Sequence, residues 1–179
     1  MPTPALFLDR DGIFNEVVFR DGGHHSPRNW QEVKHYPLEG LTTLKQFGIK
    51  LVMITNQPDI ERKIISENFI TELHEYYKTT YQLDNIYVCP FSSNDHPLKK
   101  PNPGMFLLAK KELNIDLSQS FHLGDTERDT IAAARCGIST ILWTRNYNKE
   151  LKSDFRVGCI QEIVNLISNR LDLECEPQS

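Results

Sequence analysis

Pro4-Ala5-Leu6-Phe7-Leu8-Asp9-Arg10-Asp11-Gly12 is the stretch that decides the fold. The apolar run Pro4 to Leu8 has the length of a buried strand, and Gly12 ends it in a turn. Asp9 and Asp11 are thereby delivered to the open end of that strand. The chain is already turning there, so the two carboxyl groups can converge on one point instead of diverging. Such a pair is costly without a cation between its members. Mg²⁺, which prefers hard oxygen ligands and often brings a phosphate, is the expected cation.

Three further clusters have the same placement. The apolar run Leu51-Val52-Met53-Ile54 finishes in Thr55-Asn56-Gln57. Lys99-Lys100-Pro101-Asn102-Pro103-Gly104 lies just before a helical pattern. Phe121-His122-Leu123 runs into Gly124-Asp125-Thr126-Glu127-Arg128-Asp129. In an open parallel sheet, ligands bind outside the carboxyl ends of the strands, where strand order reverses. Two acid pairs, a hydroxyl–amide pair and a lysine are therefore expected in one crevice. That is the equipment for handling a phosphate with a metal ion.

Strand-like and helix-like segments alternate, which predicts an α/β, doubly wound (Rossmann-like) fold with a central parallel sheet flanked by helices. Strands are expected over 4–8, 49–55, 85–89, 120–123 and 139–143. Helices are expected over 39–47, 66–81, 103–113 and 126–136, with Gly48 and Gly137 as stops and Ser66 as a cap. A last helix places Ile160, Ile163, Val164, Ile167 and Leu171 on one face. Residues 13–37 read as an irregular polar loop and the one obvious lid, with no room for a large cap domain. Residues 1–171 are expected to form a single domain, with 172–179 as a mobile tail.

The 179 residues suffice for one domain with a real core. Hydrophobic residues at 39% and charged residues at 25% are ordinary for a soluble globular protein. A net charge of -4 argues against nucleic acid as a partner. No stretch reaches the roughly 20 apolar residues of a membrane span, and the N-terminus carries no signal pattern. Cytoplasmic location, no membrane partner and a monomeric state are the expectations. Cys89, Cys136, Cys159 and Cys175 are widely spaced, with no C-x-x-C pair, and read as reduced.

With its motifs in the order Asp9-x-Asp11-Gly12, Thr55-Asn56, Lys100-Pro101 and Gly124-Asp125-x-x-x-Asp129, the chain resembles the haloacid dehalogenase (HAD) superfamily phosphatases. Three longer stretches, Asp9 to Asn15, Thr55-Asn56-Gln57 and Lys100 to Met105, are similar to its subfamily IIIA. That branch holds the heptose 1,7-bisphosphate and histidinol-phosphate phosphatases. The resemblance implies Mg²⁺-dependent hydrolysis of a small-molecule phosphate ester through an aspartyl-phosphate. Asp9 would be the nucleophile, since a carboxylate is ionised at neutral pH and needs no base to activate it. Asp11 would be the acid-base group. Asp9, the backbone carbonyl of Asp11 and Asp125 would hold Mg²⁺, with Asp129 supporting from one helical turn away. Thr55, Asn56 and Lys100 would bind the phosphoryl group, and Lys99 is a further candidate for substrate binding.

Three departures from the family pattern stand out. Ile13 replaces the usual Thr, and Lys99 stands where the branch often has Arg. The zinc loop of many branch members is incomplete. Cys89 matches its first ligand, but Phe91 replaces His and the later cysteines are absent, although Asp95 and His96 could add donors. Zinc is not expected, because a structural site normally takes four ligands. The His24-His25 pair reads as exposed loop rather than a metal site. The rival reading from another class is a receiver-like or non-catalytic phosphate-binding module. A receiver lacks an acid at the position of Asp11. A dinucleotide-binding domain is excluded, since no G-x-G-x-x-G follows the first strand.

Overall fold

The computed structural model describes residues 1–173. The elements run in the order β1 Ala5–Leu8, β2 Val18–Arg20, β3 Gly23–His25, β4 Lys50–Asn56, α1 Glu67–Thr80, β5 Asn85–Cys89, α2 Gly104–Leu113, β6 Phe121–Gly124, α3 Glu127–Ala134, β7 Ser139–Trp143, β8 Phe155–Val157 and α4 Ile160–Arg170. Six strands form one sheet in the order β5-β4-β1-β6-β7-β8, every pair parallel. β1 is central: the chain next builds outward to β4 and β5 on one side, then to β6, β7 and β8 on the other. Strand order therefore reverses at β1, which sets the ligand crevice over its carboxyl end.

Alternation along the strands divides the core into two layers. Leu6, Leu8, Leu51 and Met53 face one way, packing with Phe69, Leu73 and Tyr77 of α1 and Ile160, Ile163 and Ile167 of α4. Ala5, Phe7, Val52 and Ile54 face the other way, onto Met105, Phe106 and Ala109 of α2 and Ala132 and Ala133 of α3. β1 is buried on both sides, which is why its sequence is a continuous apolar run. Ile13 is fully buried in the first layer. Its replacement of Thr is thus a matter of packing beneath the turn.

Several local expectations are corrected. Residues 13–37 are not wholly irregular, because β2 and β3 pair as an antiparallel hairpin. Asp21 and Gly22 at its tip have φ of 51° and 78°, and an Asp-Gly pair is the residue signal for that turn. The segment Leu41–Phe47 is a 3-10 helix, not an α-helix. It is bracketed by left-handed Gly40 and Gly48, lacks a side-chain cap and contains the β-branched pair Thr42-Thr43. Ser66 stands at the start of α1 but makes no capping hydrogen bond. β8 is an additional three-residue strand, too short to show a period. The expected tail lies mostly outside the described residues. Among those described, no helix is long and apolar enough to cross a membrane.

Candidate active site

The crevice is assembled from four strand ends. Asp9 follows β1, held by its N–H donating to Leu123 O of β6 at 3.0 Å. Thr55 and Asn56 end β4, and Asp125 follows β6. Lys100 reaches in from the loop before α2 and its ammonium is the hub of the site. Lys100 Nζ lies 2.9 Å from Asp9 Oδ1 and 2.6 Å from Asp129 Oδ1, and donates to Ile54 O at 3.0 Å. The Lys100–Pro101 peptide is cis. Asn56 grips the Lys100 backbone in both directions, accepting from its N–H at 3.0 Å and donating to its carbonyl at 2.9 Å. Asn56 thereby orients Lys100, while still lining the cleft.

Asp9, Asp125 and Asp129 each bring a carboxylate oxygen to within 4.8 Å of the others. Asp129 is already engaged. One of its oxygens takes Lys100, and the other caps α3, accepting from Thr126 N at 3.1 Å and Thr126 Oγ1 at 2.5 Å. Asp125 differs, because its Oδ1 is buried with no hydrogen-bond partner. Asp9 Oδ1 accepts from Arg10 N–H at 2.8 Å as well as from Lys100. Burial, and the like charges of Asp129 and Asp11, outweigh Lys100 and push Asp9 up to about 7. Burial, then the charges of Asp129 and Asp9, raises Asp125 well above the usual carboxylate range. Converging carboxylates with raised proton affinity and an empty oxygen fit a hard divalent cation, with Asp9 and Asp125 as the side chains that could hold it. Gly12 makes the room: its φ is +83°, and a Cβ there would lie 2.0 Å from Asp125 Oδ2.

The Asp11 carboxylate lies outside that cluster, in a nest of donors. Arg10, itself fully buried, donates from Nε at 3.1 Å and from Nη2 to both oxygens. Asn15 Nδ2, Ser26 Oγ and Gln57 Nε2 complete the set at 2.9, 2.7 and 2.8 Å. Burial alone would raise the Asp11 carboxyl; the Arg10 charge and these hydrogen bonds outweigh it and hold Asp11 below its ordinary value. Gln57 also donates to Thr55 Oγ1 at 2.8 Å, tying the two motifs together. Lys99 is buried, with its ammonium donating to Ser92 O, and it does not line the cleft. The loop following Cys89 is packed by a Phe91–His96 ring stack at 3.8 Å.

Of the residues expected in one crevice, Asp9, Asp11, Asn56, Lys100 and Asp129 line a cleft of about 430 Å³, with His24 and Arg128 in its walls, whereas Thr55 and Asp125 are buried and do not line it. His24 arrives on the hairpin, as does Ser26 just after it. The Asp21-Gly22 turn was the available signal for both. Tyr147 and Arg145 were missed entirely, because they lie on a loop after β7 that carries no motif. Tyr147 Oη donates to Asp125 Oδ2, and Arg145 donates to Gly12 O while lying 3.8 Å above the Tyr36 ring.

Comparison with known proteins agrees with this architecture. The model of the haloacid dehalogenase-like hydrolase family matches residues 27–137. A Vibrio cholerae protein named D-glycero-beta-D-manno-heptose-1,7-bisphosphate 7-phosphatase is 34% identical over 160 residues, covering 81% of this chain and 83% of its own. A Helicobacter pylori protein of the same name is 33% identical, covering 91% of this chain and 96% of its own. Among solved structures, the D,D-heptose 1.7-bisphosphate phosphatase from B. bronchiseptica, complexed with magnesium and phosphate, matches with a TM-score of 0.79. It is 21% identical, over 93% of this chain and 99% of that one.

Proposed function

The chain belongs to the haloacid dehalogenase-like hydrolase family and is a phosphatase, and on that footing we propose that it hydrolyses a small sugar phosphate or bisphosphate with Asp9 as nucleophile. A heptose bisphosphate is the leading candidate by kinship, with a histidinol-phosphate type of ester as the second. The observation that carries the reading is the Lys100 ammonium seated between Asp9 and Asp129, beside an Asp125 oxygen with no partner.

Mg²⁺, held by Asp9, Asp125 and the Asp11 carbonyl, would neutralise charge on the phosphoryl oxygens and keep Asp9 ionised. Lys100 anchors Asp9 by Oδ1, leaving Oδ2, which accepts no hydrogen bond among the described residues, to attack phosphorus in line. The phosphoryl group passes to Asp9 and the ester oxygen leaves. Thr55, Asn56 and Lys100 steady the charge that redistributes over the phosphoryl oxygens. Asp11 gives its proton to the leaving oxygen, then takes one from the water that hydrolyses the aspartyl-phosphate. Its nest of donors favours the anion, the form required in that second half. The first half draws on the minor protonated form, so esters with poor leaving groups should be the more demanding substrates. Residues 1–171 would act as a single domain and as a monomer.

The test is Mg²⁺-dependent phosphate release from a panel of sugar mono- and bisphosphates, with Asp9→Asn as control. Release from one sugar ester far above the others, lost in the variant and on chelation, supports the reading. Release that survives Asp9→Asn overturns it.

A further inference from the structure

We infer that Tyr147 is a positioning residue for Asp125, setting which carboxylate oxygen faces the cation; this rests on the reading of Asp125 as a Mg²⁺ ligand. Two features of the loop after β7 hold Asp125. The Tyr147 hydroxyl donates to Oδ2, and Asn148 Nδ2 donates to the Asp125 backbone carbonyl at 2.8 Å and to Trp143 O at 2.9 Å. Asn148 is itself buried and braced by Arg156, which donates to its Oδ1 at 3.3 Å and its carbonyl at 3.1 Å. The loop is therefore a rigid bracket on which the Tyr147 phenol is mounted.

The two oxygens of Asp125 are treated differently. Oδ2 lies against the bare Cα of Gly12 and takes the Tyr147 proton, whereas Oδ1 is buried and has no partner. A carboxylate bonded on one oxygen cannot rotate freely, so Oδ1 is presented as the ligand atom and Oδ2 is withheld. Hydrogen bonds of this kind orient metal ligands in general, and their removal costs roughly 10- to 100-fold in metal affinity or activity. The Tyr147 ring is 40% exposed, so burial of the ring is a weak reason for a tyrosine here. It also receives the His24 ring at 4.4 Å, which places Tyr147 between the hairpin that walls the cleft and the acid beneath it.

The experiment is calorimetric titration of Mg²⁺ into metal-free wild type and Tyr147→Phe, which keeps the ring and removes only the donor. Mg²⁺-induced shifts in unfolding temperature, each referred to the same variant without metal, subtract any general loss of stability. The expected result is a Kd weaker by about 10- to 100-fold in Tyr147→Phe. The expected kinetic signature is a kcat that recovers at saturating Mg²⁺, with KM for the phosphate ester unchanged; a merely structural defect would not be rescued by the ion. Equal Mg²⁺ affinity in the two proteins overturns the inference alone. A wild type that binds no Mg²⁺ overturns the cation reading and the inference with it.

Discussion

The Lys100 ammonium lies 2.9 Å from Asp9 Oδ1, with the lysine side chain 3% exposed and the Asp9 side chain 13% exposed at the cleft. Burial alone would depress the lysine, but the Asp129 and Asp9 charges reverse this and raise it above its ordinary value. Lys100 is therefore a fixed positive charge throughout the working pH range. Lys100→Ala is expected to lower kcat by about 10²–10³-fold, the typical loss for one charge-stabilising donor. It also leaves the buried Asp129 charge without its cation, held only by Thr126, a defect of up to roughly 3–5 kcal/mol. Steady-state kinetics and denaturant unfolding of the same variant read the two effects separately.

Asp11→Asn removes the proton donor while keeping the size of the side chain. The loss in kcat should be about 10²–10⁴-fold and should depend on the leaving group. Aryl phosphates, whose leaving oxygen needs little protonation, should lose least, and sugar phosphates most. Comparing kcat ratios for the two ester classes checks this, and equal losses would remove Asp11 from the acid role.

Metal stabilisation should grow with pH. Burial raises Asp9 to about 7 in the fold, against 3.8 for an ordinary aspartate. The folded state thus binds more protons than the unfolded chain between those values, and metal-free stability falls as pH rises through that window. Protons and the cation compete for the same carboxylates. The Mg²⁺-induced rise in unfolding temperature should therefore be small near the lower end of the window and largest above about 7. Thermal melts with and without Mg²⁺ across this range test the sign.

Gly12→Ala should damage the site more than the fold. The new methyl would meet Asp125 Oδ2 at 2.0 Å, at a backbone φ of +83° that L-residues rarely adopt. Relief requires displacing the Asp125 carboxylate. Weaker Mg²⁺ binding is expected, with a left-handed backbone cost of roughly 1–2 kcal/mol. Calorimetry and unfolding measured together distinguish the two contributions.

The legible parts of this molecule are those where a short period or a punctuating residue marks the chain. β5 and β7 lie where the sequence puts them, because apolar runs end at turn residues. Asp9 and Asp125 are placed by the apolar runs before them, and Lys100 by the Pro- and Gly-marked start of the helix after it. The hydrogen-bond partners of Asn56 and Lys99 are not legible. A side chain's hydrogen-bond partner depends on the backbone opposite, and Asn56 is clamped to Lys100, 44 residues away. Arg10 is fully buried between two acids, bonded to Asp11, Gln57 and His74 across the fold, and no local pattern marks it. Tyr147 and Arg145 serve the site only because β7 lies beside β6, a topological fact with no local trace.

Phosphoryl transfer to Asp9 leaves a covalent trace. The direct measurement is rapid acid quench during turnover of a sugar phosphate with Mg²⁺, followed by mass analysis of the peptide carrying Asp9. A phosphoryl adduct on Asp9 is expected in the wild type and none in Asp9→Asn, which should be inactive. Turnover without any adduct, together with phosphate release by Asp9→Asn, would contradict it.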